Sequence, residues 1–170
     1  MNAYGLCVTF VVAMLVEFFV WAQEPCTPWI YRIESHKCYR KYCDDRTPED
    51  AQKVCEQQGG NLVTICDEAE NDFVSMMGQV AMSKSEVNGR TWIGYRRNPN
   101  NKQEWQWRSG SPCNYTNWAP GEPNNAGGED YAELYTFYFK FDRKTWNDDR
   151  STSVLYYICE RSTCLQEDVV

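Results

Sequence analysis

The stretch Trp118-Ala119-Pro120-Gly121-Glu122-Pro123-Asn124-Asn125-Ala126-Gly127-Gly128-Glu129-Asp130, together with Trp146-Asn147-Asp148 further on, decides how this chain is read. Glu122, Asn124, Glu129, Asn147 and Asp148 all carry side-chain oxygen, and none of the set is a thiol or an imidazole. Oxygen-only donors suit a hard cation, and Ca²⁺ accepts about 6–8 oxygens in a flexible shell. The carboxylates and amides here would supply roughly five, and a backbone carbonyl one more, which leaves room for outside ligands. Two adjacent hydroxyls of a sugar ring fit that room, because Glu accepts hydrogen bonds and Asn both donates and accepts. Asn, Gly, Pro and Glu are also what solvated turns contain, so the argument rests on the set and not on any one residue.

Outward from this stretch the chain is β-like. Thr91–Arg96, Glu104–Arg108, Tyr131–Phe141 and Leu155–Glu160 are rich in aromatic and branched residues. Trp105 and Trp107 alternate with polar neighbours, as on a strand with one buried face. Between Arg108 and Tyr131 runs a Gly-, Pro- and Asn-rich segment too long for a plain connection, which marks a functional loop. Trp92, Trp105 and Trp107 read as core, and Trp118 and Trp146 as pillars within it.

Before the strands come two helices. Thr47 caps the first, Pro48 opens it, Ala51, Val54 and Cys55 share a face, and Gly59-Gly60 ends it. Asp67 with Glu70 starts the second, for which Ala69, Phe73, Met77 and Val80 form the expected buried stripe.

The chain has 170 residues, one domain's worth, with 42% hydrophobic and 15% aromatic residues. Mean hydropathy is -0.66. The apolar run from Leu6 to Val16, extended by Phe18–Trp21, is short for a membrane span and reads as a signal peptide cleaved before Gln23. That divides the chain into a signal at 1–22, a domain at 23–164 and a short tail at 165–170. Of nine cysteines Cys7 leaves with the signal, and the remaining eight suit an oxidising, extracellular compartment. No Cys-x-x-Cys pair occurs, and His36 is the sole histidine, which excludes a Cys/His zinc site. The formal charge of -7, with no basic run, makes nucleic acid and anionic membranes poor partners. His36 has no nucleophile nearby in sequence to activate, and Glu122 with Glu129 as a glycosidase pair is a less simple account than ion ligation. The chain therefore reads as a binder and not an enzyme.

Cys26, Cys38, Cys55, Trp92-Ile93-Gly94, Glu122-Pro123-Asn124, Trp146-Asn147-Asp148 and Cys159 together resemble the C-type lectin-like domain, over nearly all of residues 26–160. The resemblance implies an α+β fold, two helices packed on small antiparallel sheets with a long calcium-binding loop. It implies that Glu122, Asn124, Glu129, Asn147 and Asp148 hold the principal Ca²⁺ and hydrogen-bond the sugar hydroxyls. Pro123 would follow a cis peptide bond. Glu-Pro-Asn resembles the mannose, N-acetylglucosamine and fucose binders. The family's auxiliary calcium positions fall at Arg97, Asn101 and Asn125, so a second ion is expected to be absent or weak. Disulfides Cys26–Cys38 and Cys55–Cys159 are implied.

The chain departs from the family where a further disulfide would join Tyr131 and Ser151. Cys43, Cys66, Cys113 and Cys164 remain, with three connectivities open. Cys66–Cys113 would pin the long loop, while Cys164 would pair with Cys43 or link two chains. Asn114-Tyr115-Thr116 is an N-glycosylation sequon. The expected function is secreted, calcium-dependent binding of glycans on glycoproteins or microbial surfaces, with any homo-oligomer formed through the domain surface or Cys164. The alternative is a domain of the same fold that binds a protein partner or mineral surface without sugar.

Overall fold

The computed structural model describes residues 25–80, 89–137 and 143–164. The expected signal peptide at 1–22, the tail at 165–170 and residues 138–141 of the expected Tyr131–Phe141 strand lie outside the described residues, and within them that strand stops at Tyr135, short of Thr136 and Phe137. The elements run β1 (Ile30–Arg32), β2 (Lys37–Arg46), α1 (Pro48–Gln57), β3 (Asn61–Leu62), α2 (Glu68–Gln79), β4 (Arg90–Asn98), β5 (Asn101–Trp107), β6 (Tyr131–Tyr135), β7 (Trp146–Asp149) and β8 (Leu155–Arg161).

Local chemistry sets both helix starts. The Thr47 side chain accepts from Asp50 N, with Pro48 in the first turn. Asp67 accepts from Glu70 N at 2.7 Å, and Glu70 reaches back to accept from Cys66 N at 2.8 Å. Helix α1 buries Ala51, Val54 and Cys55. Helix α2 is rotated from the expected stripe: Ala69 and Val80 are exposed, Phe73 is half-buried, and the inward face is Glu70, Asn71, Val74, Ser75, Met77 and Gly78. The cause is that two of these polar side chains are fully partnered inside. Glu70 takes bonds from Lys37 and Tyr39, and Asn71 joins Trp146 Nε1 to the Lys144 carbonyl. A satisfied polar group can occupy the core.

The fold is α+β. Its strands form one hydrogen-bonded network, ordered β1-β2-β8-β4-β6-β7, with β3 on β8 and β5 on β4. The pairs are antiparallel except β4–β8, where Thr91 and Trp92 lie beside Tyr156 and Tyr157. Gly94, in β4, passes so close to β3 that a Cβ would sit 2.5 Å from the Leu62 carbonyl oxygen, so only glycine fits. One core cluster under α1 is built around Trp29, Leu62, Trp92 and Tyr157; a second under α2 contains Ile65, Val74, Trp107 and Trp146.

The disulfides are Cys26–Cys43, Cys38–Cys164, Cys55–Cys159 and Cys66–Cys113, with Cα separations of 5.3–5.7 Å. The expected Cys26–Cys38 pair is corrected. Cys26 N donates to Lys41 O, and Pro25 bridges to Tyr42, so Cys26 lies beside the middle of β2, beyond Cys38 and next to Cys43. Cys38 instead faces Arg161 across β2–β8, and the chain beyond β8 returns Cys164 to it. Cys164 is thus paired with Cys38, which corrects both its expected pairing with Cys43, now bonded to Cys26, and its expected role as a link between chains. Where Tyr131 replaces the family cysteine, its hydroxyl donates to Glu49 of α1 at 2.9 Å, and Arg108 also bonds that carboxylate. This polar contact ties β6 to α1.

Candidate functional site

Residues 108–130 leave β5 and enter β6 without regular structure, but the segment is held at several points. Cys113 is bonded to Cys66, just ahead of α2, and its carbonyl accepts from Trp107 Nε1 at 3.1 Å. Asn117 and Ala119 exchange backbone hydrogen bonds with Trp146 of β7, both at 2.8 Å. Trp118 is half-buried and meets Trp105 and Trp146 edge-on, at 4.8 and 5.8 Å between centroids. These contacts lay the loop along β7. The Glu122–Pro123 bond is cis, and Gly121, Asn125, Gly127 and Gly128 have positive φ, so the chain turns repeatedly within eight residues.

Asp148 is the buried centre of the site. It is fully enclosed, and it lies on the same face of β7 as Trp146. Its Oδ1 accepts from Asn124 N at 2.9 Å, and its Oδ2 accepts from Asn125 N at 2.9 Å and Arg97 at 3.2 Å. Glu122 Oε2 accepts from Asn124 N at 3.1 Å, while Asn124 Oδ1 and Glu129 Oε2 both accept from Ala126 N. Glu122, Asn124, Glu129 and Asp148 thus gather about one short run of backbone. Asn147 alternates away. Its Nδ2 donates to Glu133 Oε1 at 2.9 Å and to the Asp148 carbonyl at 2.6 Å.

Charge is crowded here. Burial, then the neighbouring Asp148, raises the Glu122 carboxyl above the usual carboxylate range, against the opposing Asn124 contacts. Glu129 is raised by burial and by Asp148 and Asp149, opposed by Ala126 N–H and Arg150. Such carboxylates favour a positive charge among them. The donor chemistry therefore fits a hard cation, although among the described residues no three His, Cys, Asp or Glu side chains are drawn close enough to form a ready metal cluster. In this structure loop amides occupy one oxygen each of Glu122 and Glu129 and both oxygens of Asp148.

Two participants were not read from the sequence as site residues. Glu133, cross-strand from Asn147, is fully buried and bonds Arg90, which also pairs with Asp149. Burial pushes its carboxyl up to about 8, with Asp149 adding and Arg90 and Asn147 opposing. Its signal is the charge inside Ala132-Glu133-Leu134, a run buried throughout. Arg97 was noted only as a missing acid, and it is the cation that touches Asp148.

A profile of the lectin C-type domain matches residues 44–161, and the chain belongs to that family of carbohydrate-binding proteins, which are not enzymes. It is 33% identical over 144 residues to the CD209 antigen of Macaca mulatta, a match covering 82% of this chain and 31% of that protein. The chain therefore spans less than a third of the length of that relative. Among solved structures it resembles the cow CD23 C-type carbohydrate-recognition domain, determined in the presence of a GlcNAc2Man3 oligosaccharide (31% identity, TM-score 0.65, 81% of this chain and 95% of that one). It also resembles the C-type lectin CEL-I from Cucumaria echinata (27% identity, TM-score 0.69, 79% and 94%).

Proposed function

We propose that this protein is a secreted lectin that binds one Ca²⁺ through Glu122, Asn124, Glu129, Asn147 and Asp148 and grips a mannose-, N-acetylglucosamine- or fucose-type sugar at the same residues. The observation that carries the reading is the meeting of Glu122-Pro123-Asn124 with Asp148, joined by the Asn124 N to Asp148 bond at 2.9 Å. The likeness to the cow CD23 domain, determined in the presence of a GlcNAc2Man3 oligosaccharide, supports the sugar class.

A bound Ca²⁺ would supply a hard Lewis acid with coordination left for two vicinal hydroxyls. The residues do the discriminating. Glu122 and Glu129 accept hydrogen bonds from hydroxyls, and the Asn124 amide donates to them. Asn147, whose Nδ2 is engaged by Glu133, has Oδ1 to offer the ion. Buried Asp148 fixes the position of the Asn124 and Asn125 backbone, and so the direction of the loop donors.

Among the described residues no helix is long and apolar enough to cross a membrane. Secretion is tested by expressing the whole chain in a eukaryotic host and finding the protein in the medium with Gln23 at its N-terminus. Retention on mannose-agarose with calcium, and elution by EDTA, tests the lectin reading. The Asn124→Ala/Asp148→Ala double variant is expected to pass through unretained. Retention of that variant, or of the native protein in EDTA, would contradict it.

A further inference from the structure

Arg97 reaches three chain segments at once. It stands in β4 with its side chain 13% exposed and its guanidinium 4.8 Å from the Trp105 ring centroid. From there Nε donates to the Glu129 carbonyl at 2.9 Å, one terminal nitrogen donates to the Lys102 carbonyl at 3.1 Å, and the other to Asp148 Oδ2 at 3.2 Å. Asp130 lies 3.6 Å away, and the Arg97 backbone N–H donates to the Asp130 carbonyl at 2.8 Å. The planar fork thus spans the β4–β5 hairpin, the end of the long loop and β7, which a point-charge lysine could not do.

Position matters more than number. Asp148 is fully buried and organises the loop through Asn124 N and Asn125 N, and Arg97 shares the oxygen that Asn125 uses. A buried carboxylate needs a compensating charge, and among the described residues Arg97 is the cation within ion-pair distance of it. On its other side the same guanidinium fixes the Glu129 backbone, whose side chain receives Ala126 N.

We propose that Arg97 is a positioning residue: a built-in cation that holds the loop from Asn124 to Glu129 in its binding shape before any metal ion arrives. The site is then preorganised and not assembled by its ion. This deepens the proposed function and rests on its assignment of Asp148 and the loop as the ligand site.

The test is amide hydrogen exchange in EDTA on the native protein and on Arg97→Gln. In the native protein the amides of Asn124, Asn125 and Ala126 are expected to be protected. In the variant they are expected to exchange roughly 10–100-fold faster, the range that charge-assisted hydrogen bonds contribute, while amides of β4 and β8 are unchanged. Saturating calcium is expected to restore protection in the variant, because a second cation replaces the first. A purely packing role for Arg97 would not give calcium rescue. Unprotected loop amides in the native protein, equal exchange in the variant, or no rescue in a variant that binds calcium would each overturn the proposal. Should Arg97→Gln fail to fold, Arg97→Met, which keeps an apolar stem against Trp105, carries the same comparison. Absence of calcium binding to the native protein by calorimetry would instead overturn the metal reading, and the comparison in EDTA would stand.

Discussion

Glu122 and Glu129 show how environment sets chemistry at single residues. Both are raised by burial among other carboxylates, and both must be deprotonated to ligate an ion. Groups with raised pKa protonate earlier as pH falls, so calcium affinity is expected to begin weakening above the range set by ordinary carboxylates. In EDTA the sign reverses. A carboxyl whose folded pKa is raised above its unfolded value destabilises the fold once both states are ionised, and acidification through the folded pKa relieves this. Calcium titrations across that range, paired with melting curves in EDTA, check both signs. Affinity that holds constant until the ordinary carboxylate range is reached would contradict the first. Asn71 shows a different kind of dependence. It pairs the buried Trp146 N–H and the Lys144 carbonyl; that carbonyl also accepts from the Asn117 amide, so Asn71→Ala leaves the Trp146 N–H unmatched at a cost of about 1–3 kcal/mol. Urea unfolding is expected to shift to a lower midpoint at unchanged slope.

At the scale of elements, the long loop depends on its anchors. The Cys66–Cys113 bridge closes 47 residues, which on the chain-entropy argument contributes about 4 kcal/mol. A Cys66→Ser/Cys113→Ser protein is expected to melt roughly 10 °C lower by calorimetry and to bind calcium more weakly; an unchanged melting point would show that Trp118 and Trp146 hold the loop unaided. The helices were legible in the sequence because capping is local: Thr47 and Asp67 act within three residues. Strands β4, β5, β6 and β8 were legible because their aromatic runs are dense, whereas the four-residue β7 carries only Trp146 as such a signal. Strand β2 was not, because Lys37-Cys38-Tyr39-Arg40-Lys41 looks solvated. Yet Lys41 is fully buried, its ammonium held by the Gly78 and Val80 carbonyls at the end of α2, a partnership between distant segments that no local pattern carries. The same holds for the inward face of α2, where Glu70 and Asn71 find partners on β2 and β7. Cys26 was paired wrongly for a related reason: which cysteine it meets is decided by the register of β2, where Pro25 meets Tyr42.

For the whole molecule, the four disulfides among the described residues lie within the chain. Non-reducing electrophoresis of the protein is expected to show a monomer, and a covalent dimer would contradict the Cys38–Cys164 pairing. Asn114 is exposed beside the Cys66–Cys113 bridge, so glycosidase treatment of protein from a eukaryotic host is expected to increase its mobility. The proposed ligand side chains stand out in the sequence as a set, because Glu-Pro-Asn and Trp-Asn-Asp are contiguous motifs. Their supports, Arg97, Glu133 and Arg90, do not, since each acts across strands. A single shallow site using two hydroxyls binds a lone monosaccharide weakly, so useful strength comes from clustered glycans or clustered chains. The central claim is calcium-dependent recognition of sugars with equatorial vicinal hydroxyls, and calorimetric titration of the native protein with mannose and with galactose, in calcium and again in EDTA, tests it most directly. The account expects heat with mannose in calcium, little with galactose and none in EDTA; calcium binding without sugar heat, or heat that persists in EDTA, would contradict it.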